Sequence, residues 1–446
     1  MFKNKDQIIK NGNTPELKKI RGEILDIFCA AVKAVNPYKC VKDQFKGSFI
    51  LINGKQLDIR CFDNVYLIGF GKASVGMSQA VCDSVNVKEG IVITNDPVSK
   101  VDSRTVFTFV GSHPIPTQNN VIGTDKIIEL VEKLGEKDLL IVLISGGGSA
   151  LLSKSRIPLG DLQSTTDLLL KCGANIKEVN TIRKHLSLVK GGQLIKNVKC
   201  TVISFIISDI IGNPIEHIAS GPTYPDSTTF YMAKKILKKY DLLNKVPFSV
   251  KKIIEDGIYS KIPDTPKPGD SIFKNVLNII IANNKTACEA AIEKAEELGY
   301  KTMLLTNTLD GEAKEVGKYL TNKVIKYINN ASKFAFVSGG ETTVTVKGNG
   351  LGGRNQEMVL SSVFDLDRED VVFASLATDG IDGVCDAAGA IADPYTLLRA
   401  KRENKDPGLD LKENNSYEFF KSLNDLLFTG YTGTNVMDIQ IIVKIG

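Results

Sequence analysis

Short, nearly uninterrupted apolar runs recur along the chain and alternate with segments of helical periodicity. Runs of this length without polar alternation are typical of strands that are buried on both faces. Segments of helical periodicity, such as 74–85 and 285–298, lie between them. This alternation predicts parallel or mixed sheets covered by helices on both faces, which is the α/β class. The apolar runs occupy residues 65–70, 90–96, 139–144, 202–207, 277–282, 302–306, 334–338 and 371–376.

A polar, proline-rich stretch between residues 251 and 274 interrupts this alternation. Its composition is typical of a linker. The chain has 446 residues, and a single hydrophobic core usually serves no more than roughly 250–300 residues. We therefore predict two domains, residues 1–262 and residues 270–446.

Composition and charge exclude several classes of protein. The net charge of +5 is small for this length, and the lysines are interspersed with acidic residues, so the sequence does not predict a nucleic-acid-binding surface. No apolar run approaches the roughly 18 residues of a membrane span, and the first residues lack the apolar segment of a signal peptide. We expect a cytoplasmic protein without a membrane segment, either a monomer or a homodimer.

A glycine turn follows the strand predicted at 139–144, and a helix-like segment begins directly after it. Backbone N–H groups in such a turn can face an anion, so we predict a phosphate site here. The alternative is a tight turn that needs glycine only for its backbone conformation. The chain contains no Walker A sequence. The predicted nucleotide-binding residues of this turn are Ser145, Gly146, Gly147, Gly148 and Ser149.

A second turn, at residues 69–74, follows the strand predicted at 65–70. It is only a weak match to a dinucleotide fingerprint, because the third glycine is displaced to Gly76 and Lys72 introduces a cation. A lysine at this place suits a phosphoryl oxygen, so we predict that Lys72 is catalytic. The alternative is a solvent-facing lysine at a helix start.

Among the histidines, His113 stands out because it lies in a Gly-Ser-His-Pro-Ile-Pro turn.

The second half of the chain offers a counterpart to these turns. Gly339, Gly340 and Glu341 follow the strand predicted at 334–338, and we predict that they bind phosphate. Arg354 comes directly after a glycine-rich loop, where its guanidinium can bind a phosphate or carboxylate through two N–H groups.

Aspartates at strand ends supply oxygen ligands and proton acceptors. Asp209, Asp379, Asp382 and Asp386 could each hold Mg²⁺ or accept a hydroxyl proton. Of these we favour Asp209 and Asp382 as the Mg²⁺ ligands and Asp379 as the proton acceptor. The alternative for each is an ordinary turn residue, because Asp before Gly is common in turns.

One amphipathic segment, residues 180–192, carries several cations and is predicted to be a helix with a glycine stop. Its cations are Arg183, Lys184 and Lys190, and Lys184 is the predicted phosphate ligand. A solvated basic face is the alternative for at least one of the three.

Taken together, these segments resemble the glycerate 2-kinase family, whose members have an amino-terminal glycerate-kinase domain and a carboxy-terminal MOFRL domain. The resemblance covers nearly the whole chain, and its motifs are in the family's order. They are GFGKAS, GSHPIPT, SGGGSALL, NTIRKHLSLVKGGQL, SDIIGN, SGGETTVTVKGNGLGGRNQE, TDGIDGVCDAAGA and TGTNVMD.

The resemblance implies ATP- and Mg²⁺-dependent phosphorylation of D-glycerate at its C2 hydroxyl to give 2-phosphoglycerate and ADP. It also implies a Rossmann-like first domain and a second α/β domain with a mixed sheet, flanking an active-site cleft. Within the family's motifs, Lys72 and Arg354 stand at the positions of the main active-site cations. Departures from the family's usual residues at Asn213-Pro214, Val384-Cys385 and Met437 concern Mg²⁺ coordination and substrate detail.

Two other functions remain open from the sequence. One is hydroxypyruvate reduction, a label that members of this family have also carried, and it requires a nicotinamide site. The other is non-catalytic binding of a small anion.

Overall fold

The structure is a computed structural model that describes residues 1–52, 54–327, 333–366 and 370–444. The helices are α1 (Lys5–Lys10), α2 (Pro15–Ala34), α3 (Pro37–Lys42), α4 (Ser74–Cys82), α5 (Gln118–Val131), α6 (Gly148–Leu151), α7 (Leu159–Lys171), α8 (Ile176–Leu186), α9 (Phe230–Lys239), α10 (Phe248–Ile258), α11 (Asn284–Glu297), α12 (Ala313–Ile325), α13 (Arg354–Leu366), α14 (Thr396–Arg402), α15 (Pro407–Lys412) and α16 (Ser416–Leu423). The strands are β1 (Phe45–Lys46), β2 (Phe49–Ile52), β3 (Lys55–Asp58), β4 (Val65–Phe70), β5 (Glu89–Thr94), β6 (Val106–Val110), β7 (Leu139–Ile144), β8 (Thr201–Ile207), β9 (Val276–Ala282), β10 (Lys301–Leu309), β11 (Phe334–Gly340), β12 (Val371–Ala377), β13 (Gly389–Ala392), β14 (Leu426–Leu427) and β15 (Asp438–Lys444).

Residues 37–281 form one compact unit built on a six-stranded sheet of order β6-β5-β4-β7-β8-β9. The pairs β4–β5, β4–β7, β5–β6 and β7–β8 are parallel. Numbered within the sheet, this order is 3-2-1-4-5-6, the arrangement of dinucleotide-binding folds. The winding reverses between β4 and β7, and a crevice opens at the carboxyl ends of strands where such a reversal occurs.

The central strands of this sheet are apolar because both of their faces are covered. Every residue of β4 and β7 is buried. The edge strand β6 is different, and its Phe107 is 58% exposed. Continuous burial explains why these strands lack polar alternation in the sequence.

Residues 1–36 and 282–446 form the other compact unit. Its sheet has the order β10-β11-β15-β12-β13-β14, in which β10 and β11 are parallel and the other pairs are antiparallel. The carboxy-terminal strand β15 therefore lies between β11 and β12. The predicted α/β class, with a Rossmann-like first sheet and a mixed second sheet, is confirmed.

The compact units do not follow the order of the sequence. Helix α2 packs on α11, so residues 1–36 belong with the second unit instead of with the sheet that follows them. Strand β9, which lies beyond the predicted boundary, completes the first sheet. The predicted domains 1–262 and 270–446 differ from the units in these segments, and residues 445 and 446 lie outside the described residues. In the part of the chain described, no helix is long and apolar enough to cross a membrane.

A buried network of two arginines and two aspartates connects α2 to the rest of its unit. Arg21 donates to Asp393 at 2.6 Å and to Asp425 at 2.7 Å, and the side chains of all three have no exposed surface. Arg399 bonds the same two carboxylates from the other side, at 3.0 and 2.9 Å. Although burial opposes ionisation, the charges of Arg21 and Arg399 hold the pKa of Asp393 below its usual value.

Replacing Arg21 by alanine is expected to destabilise this unit by about 3–5 kcal/mol, because it leaves buried carboxylates without one of their partners. Lys19→Ala is the matched control on the same helix, since Lys19 is 65% exposed and its pair with Glu23 spans 3.7 Å. The control should change stability by less than about 1 kcal/mol. Urea unfolding followed by circular dichroism, with hydrogen exchange of α2 amides, measures both. Equal losses in the two variants would contradict the network's role.

Candidate functional site

The turns after β4 and β7 interlock at the point where the strand order reverses. The amide of Lys72 donates to the carbonyl oxygen of Gly146 at 2.8 Å, and the amide of Ala73 donates to Ser145 Oγ at 3.1 Å. Gly71 has φ +131°, and a Cβ built on it would lie 2.1 Å from Ser145 Oγ. Only glycine therefore allows the two turns to approach this closely.

The side chains of Lys72 and His113 converge on Gly147. A Cβ placed on Gly147 would lie 3.4 Å from Lys72 Cγ and 3.1 Å from His113 Cδ2. Gly147 has φ +81°, a backbone conformation that favours glycine. The alternative interpretation of this turn, that it needs glycine for its conformation, therefore also applies. Among the described residues, the amide N–H groups of Gly146, Gly147 and Ser149 have no hydrogen-bond acceptor. Such a group of free amides beside a lysine forms a concave site suited to an anion.

Asn120 fixes the loop that carries His113. Its Oδ1 accepts from the amides of Ser112 and Thr117 at 2.9 Å, and its Nδ2 donates to the carbonyl oxygens of Ser112 and Ala150. Burial and the neighbouring charge of Lys72 lower the pKa of His113. The imidazole is therefore neutral at neutral pH and can donate or accept one hydrogen bond.

A cavity of about 730 Å³ lies within residues 37–281, directly beside this turn. Its lining includes residues 147–150 and several residues of α8. Asn180 and Arg183 are spaced as i and i+3, which places them on one side of α8, and Ser187 follows directly after the last residue of the helix. Other lining residues are Pro114, Ile115, Pro116, Lys154, Leu162, Leu170, Ile176, Lys190, Asp209 and His217.

Two cations of the predicted helix reach this cavity. Arg183 is half-buried and forms no ion pair or hydrogen bond with any described residue, and burial lowers its pKa. Lys190 is buried, and its Nζ donates to the carbonyl oxygens of Ser149 at 2.6 Å and Leu152 at 3.0 Å. Burial, and then the charge of Arg183, lower the pKa of Lys190 to about 7. The cavity lining thus holds the charge of Arg183, and no carboxylate among the described residues pairs with it.

Lys184, the predicted phosphate ligand, points elsewhere. Its Nζ lies 3.2 Å from Asp226 Oδ1, and both side chains are almost fully buried. Successive residues of a helix differ by 100° in direction, so Arg183 faces the cavity while Lys184 faces the core. The signal that could have selected Arg183 is its i+3 spacing from Asn180.

The helix also ends earlier than predicted, at Leu186 instead of near residue 192. Ser187 Oγ accepts from the amides of Val189 and Lys190, which turns the chain out of the helix. This turn brings Lys190 under α6, where it bonds carbonyl groups that the short helix leaves unsatisfied.

The two predicted metal ligands have different surroundings. Asp209 lies just after β8 and lines the cavity. Both carboxylate oxygens of Asp382 accept from the amides and side chains of Asn355 and Gln356, at 2.9–3.1 Å, and so cap the first turn of α13. No group of three or more His, Cys, Asp or Glu side chains in the described ranges is arranged to hold a metal ion.

Arg354 and Glu341, predicted from separate motifs, are in direct contact. Arg354 Nη1 lies 2.5 Å from Glu341 Oε1. Its Nε and Nη2 bond both oxygens of Asp438, at 2.5 and 3.0 Å. Burial raises the pKa of Asp438, against the opposing charge of Arg354. Asp438 was not predicted from the sequence, because it stands at the start of the apolar run of β15.

The second glycine pair is not an open turn. Gly339 and Gly340 are buried at the end of β11 and pair with β15. A Cβ on Gly339 would lie 2.1 Å from Asn284 Oδ1, so close packing requires glycine there.

Asp379, the predicted proton acceptor, takes part in a turn. Its Oδ1 accepts a hydrogen bond from the amide of Ile381 at 3.1 Å, as expected for an ordinary turn aspartate.

Family comparison covers both halves of the chain. Residues 23–255 match the family described as "Domain of unknown function (DUF4147)". Residues 334–438 match the family described as "MOFRL family".

Curated relatives match over nearly the whole chain. The "Glycerate 2-kinase" of Pyrococcus horikoshii is 42% identical, over 93% of this chain and 94% of its own. The "D-glycerate 2-kinase" of Thermotoga maritima is 38% identical, over 95% of this chain and 98% of its own. A "Putative hydroxypyruvate reductase" of Agrobacterium vitis is 37% identical, over 84% of this chain and 86% of its own.

Solved structures agree with these matches. A crystal structure of a glycerate kinase from Thermotoga maritima has a TM-score of 0.85 and 36% identity, covering 96% of this chain and 100% of its own. A crystal structure of a Pyrococcus horikoshii protein has a TM-score of 0.84 and 41% identity, covering 96% of this chain and 99% of its own.

Gly71→Ala is expected to separate the two interlocked turns, because the added Cβ overlaps Ser145 Oγ and the positive φ disfavours alanine. We expect a loss of at least about 2 kcal/mol in the free energy of unfolding of this unit. Gly47→Ala is the matched control, since Gly47 also has positive φ but its Cβ would meet nothing within 4 Å. Thermal unfolding measures both, and a Gly71→Ala loss no larger than that of Gly47→Ala would refute the interlock.

Lys190 should make stability depend on pH. Its pKa in the folded protein is about 7, below the ordinary value of 10.5, so the unfolded chain binds more protons between these values. Relative to Lys190→Met, the wild type should therefore gain stability as pH rises from 7 towards 10, by up to about 1.4 kcal/mol per pH unit. Urea unfolding at several pH values measures the difference. Lys177→Met, an exposed control on α8, should show no such slope.

Proposed function

Because the chain belongs to the glycerate kinase family with a carboxy-terminal MOFRL domain, we propose that it transfers the γ-phosphoryl group of ATP to the C2 hydroxyl of D-glycerate. The products are 2-phosphoglycerate and ADP. One observation carries this proposal, namely the free amides of Gly146, Gly147 and Ser149 beside Lys72 at the reversal of strand order. Relatives that cover almost the entire chain carry the glycerate 2-kinase name.

Phosphoryl transfer depends on in-line positioning and on neutralising charge that spreads over phosphoryl oxygens. The turn of residues 145–149 binds the nucleotide phosphates through its amides. Lys72 donates to the transferring group from the neighbouring turn. His113, neutral because of burial and the charge of Lys72, offers one further hydrogen bond without adding charge.

The residues present fit a magnesium ion only in part. Asp209 supplies carboxylate oxygens at the cavity, the ligand type that Mg²⁺ prefers. Asp382 is the weaker candidate, because both of its oxygens already accept hydrogen bonds that hold α13. Asp209 would hold the ion, and a bound Mg²⁺ would supply positive charge that neutralises part of the charge on the phosphates.

In the other unit, Asp438 and Glu341 hold the guanidinium of Arg354 in one orientation. We assign Arg354 to the phosphoryl group or the substrate carboxylate, with Glu341 giving way to the ligand. Asp379 is the acceptor of the C2 hydroxyl proton. Its contact with Ile381 N orients the carboxylate.

Hydroxypyruvate reduction is the competing function, favoured by the strand order and by the name of one relative. It requires close approach of a dinucleotide to the turn after β4. Lys72 at that turn favours the kinase. Oxidation of a reduced nicotinamide cofactor by hydroxypyruvate in the absence of ATP would favour the reductase.

The direct test is ³¹P NMR of the protein with ATP, Mg²⁺ and D-glycerate. We expect a 2-phosphoglycerate signal from the wild type. Lys72→Ala and Arg354→Ala should each lower kcat/KM by at least about 100-fold, because each removes charge that stabilises the transition state. Lys100→Ala, an exposed lysine of the same unit as Lys72, is the matched control and should keep full activity. A folded wild type that yields no phosphorylated product, or yields the 3-phosphate, would overturn the proposal.

A further inference from the structure

The cavity within residues 37–281 has two chemically different ends. The buried and half-buried part of its lining, here called the floor, includes the turn residues 147–150, Arg183 and His217. The exposed part, here called the mouth, includes Ile115, Leu170 and Ile176. A ligand that fills the cavity must therefore combine an anionic part with an apolar part.

Arg183 defines the anionic end. Its guanidinium is half-buried and lacks an ion pair or hydrogen bond with any residue in the described part of the chain. A guanidinium withdrawn from water without a counter-ion is costly, so arginines in such places usually bind a ligand anion. The planar guanidinium can bind two phosphate oxygens at once.

His217 belongs to the buried part of the lining. The residue is 8% exposed, lines the cavity, and its Nδ1 has no hydrogen-bond partner. Buried side-chain polar atoms normally have a partner, and one that lacks it requires an explanation. This Nδ1 has almost no accessible surface, so a ligand in the cavity does not reach it, and Nε2 lies 3.3 Å from Glu216 Oε1.

The apolar end consists of three large aliphatic side chains from separate segments. Ile115 and Leu170 are each 61% exposed, and Ile176 is 57% exposed. Exposed apolar residues are ordinary when scattered over a surface, but these three line the same cavity, where a ligand can cover them. Aliphatic side chains of this kind can pack against an aromatic heterocycle.

The size of the cavity decides between the two substrates of the proposed reaction. A volume of about 730 Å³ lies within the range of about 300–1,000 Å³ that is usual for sites of drug-sized ligands. D-glycerate has three carbons and no apolar surface that could cover the aliphatic side chains at the mouth. A nucleotide has both the anionic chain and the heterocycle.

We propose that this cavity is the nucleotide site, in which Arg183 binds the phosphate chain beside residues 145–149 and the base lies against Ile115, Leu170 and Ile176. This inference rests on the proposed kinase function and deepens it. Arg183 acts on the phosphates together with the amides of the turn. The aliphatic cluster contributes affinity for the base but does not touch the reacting atoms.

The two ends of the cavity can be tested separately with tripolyphosphate, which lacks the base, and adenosine, which lacks the phosphates. Arg183→Ala should weaken binding of MgATP and of tripolyphosphate by about 10–100-fold, since a hydrogen-bonded charge pair is lost, and should leave adenosine binding unchanged. Lys177→Ala is its matched control, because it removes the same charge from the exposed face of α8. Isothermal titration calorimetry measures the binding of MgATP and of tripolyphosphate, and saturation-transfer NMR measures the binding of adenosine.

The apolar end has its own variant. Leu170→Gln should weaken the binding of MgATP and of adenosine by about 3–10-fold and leave the binding of tripolyphosphate unchanged. Ile122→Gln is its control, since Ile122 is 45% exposed on α5 and lies outside the cavity. Because Leu170 is exposed, its replacement does not disturb the core.

The outcomes distinguish this inference from the proposed function. If the wild type phosphorylates D-glycerate but neither variant changes MgATP binding, the nucleotide assignment is wrong and the kinase function stands. If Arg183→Ala instead raises only the KM for D-glycerate, the anionic end binds the substrate carboxylate and the assignment is also wrong. If no product forms although MgATP binding depends on Arg183 and Leu170, the site assignment stands and the kinase proposal falls.

Discussion

The candidate site depends on the close contact between the turns after β4 and β7. Parallel strands that wind in opposite directions from a central pair leave a crevice at that pair. Here Gly71 lets the first turn lie against Ser145, and Lys72 N bonds Gly146 O across the join. The free amides of the second turn and the lysine of the first therefore share one surface. Without this contact, the two motifs would be ordinary turns at neighbouring strand ends.

Much of this arrangement could be predicted from the sequence because its signals are local. Buried parallel strands require continuous apolar runs, so β4 and β7 were predicted with the bounds that the structure has. A glycine turn at a strand end predicts an anion site from backbone chemistry alone, and Lys72 stands at the adjacent strand end. The fold class followed from the same runs. Their order in the sheet did not, since pairing depends on contacts between distant segments.

The predictions that differ from the structure concern direction and long-range contact. The choice between Lys184 and Arg183 depends on how α8 is oriented about its own axis, because successive helical residues point in directions 100° apart. The sequence does not give that orientation. Asp382 at the start of α13 has the composition of a metal ligand, but its oxygens are used by backbone amides. Residues 1–36 pack with the carboxy-terminal unit because Arg21 meets two aspartates more than 370 positions away. No local pattern contains that information.

The buried arginines that form ion pairs stabilise the fold, whereas the arginine without an ion pair is the one proposed to bind the ligand. Arg21 and Arg399 are buried with two carboxylates, and their charges stabilise the unit that contains them. Arg183 faces a cavity without such a partner, at a cost in stability that a protein retains where a ligand repays it. Arg354 is intermediate, because it is held by Asp438 yet is 30% exposed. A reaction that moves a highly charged group depends on cations that are oriented before the ligand arrives, and a cation without a counter-ion is ready to bind a phosphate. The described cavity of residues 37–281 provides one beside free backbone amides, and this argues for phosphate binding more strongly than either feature does alone.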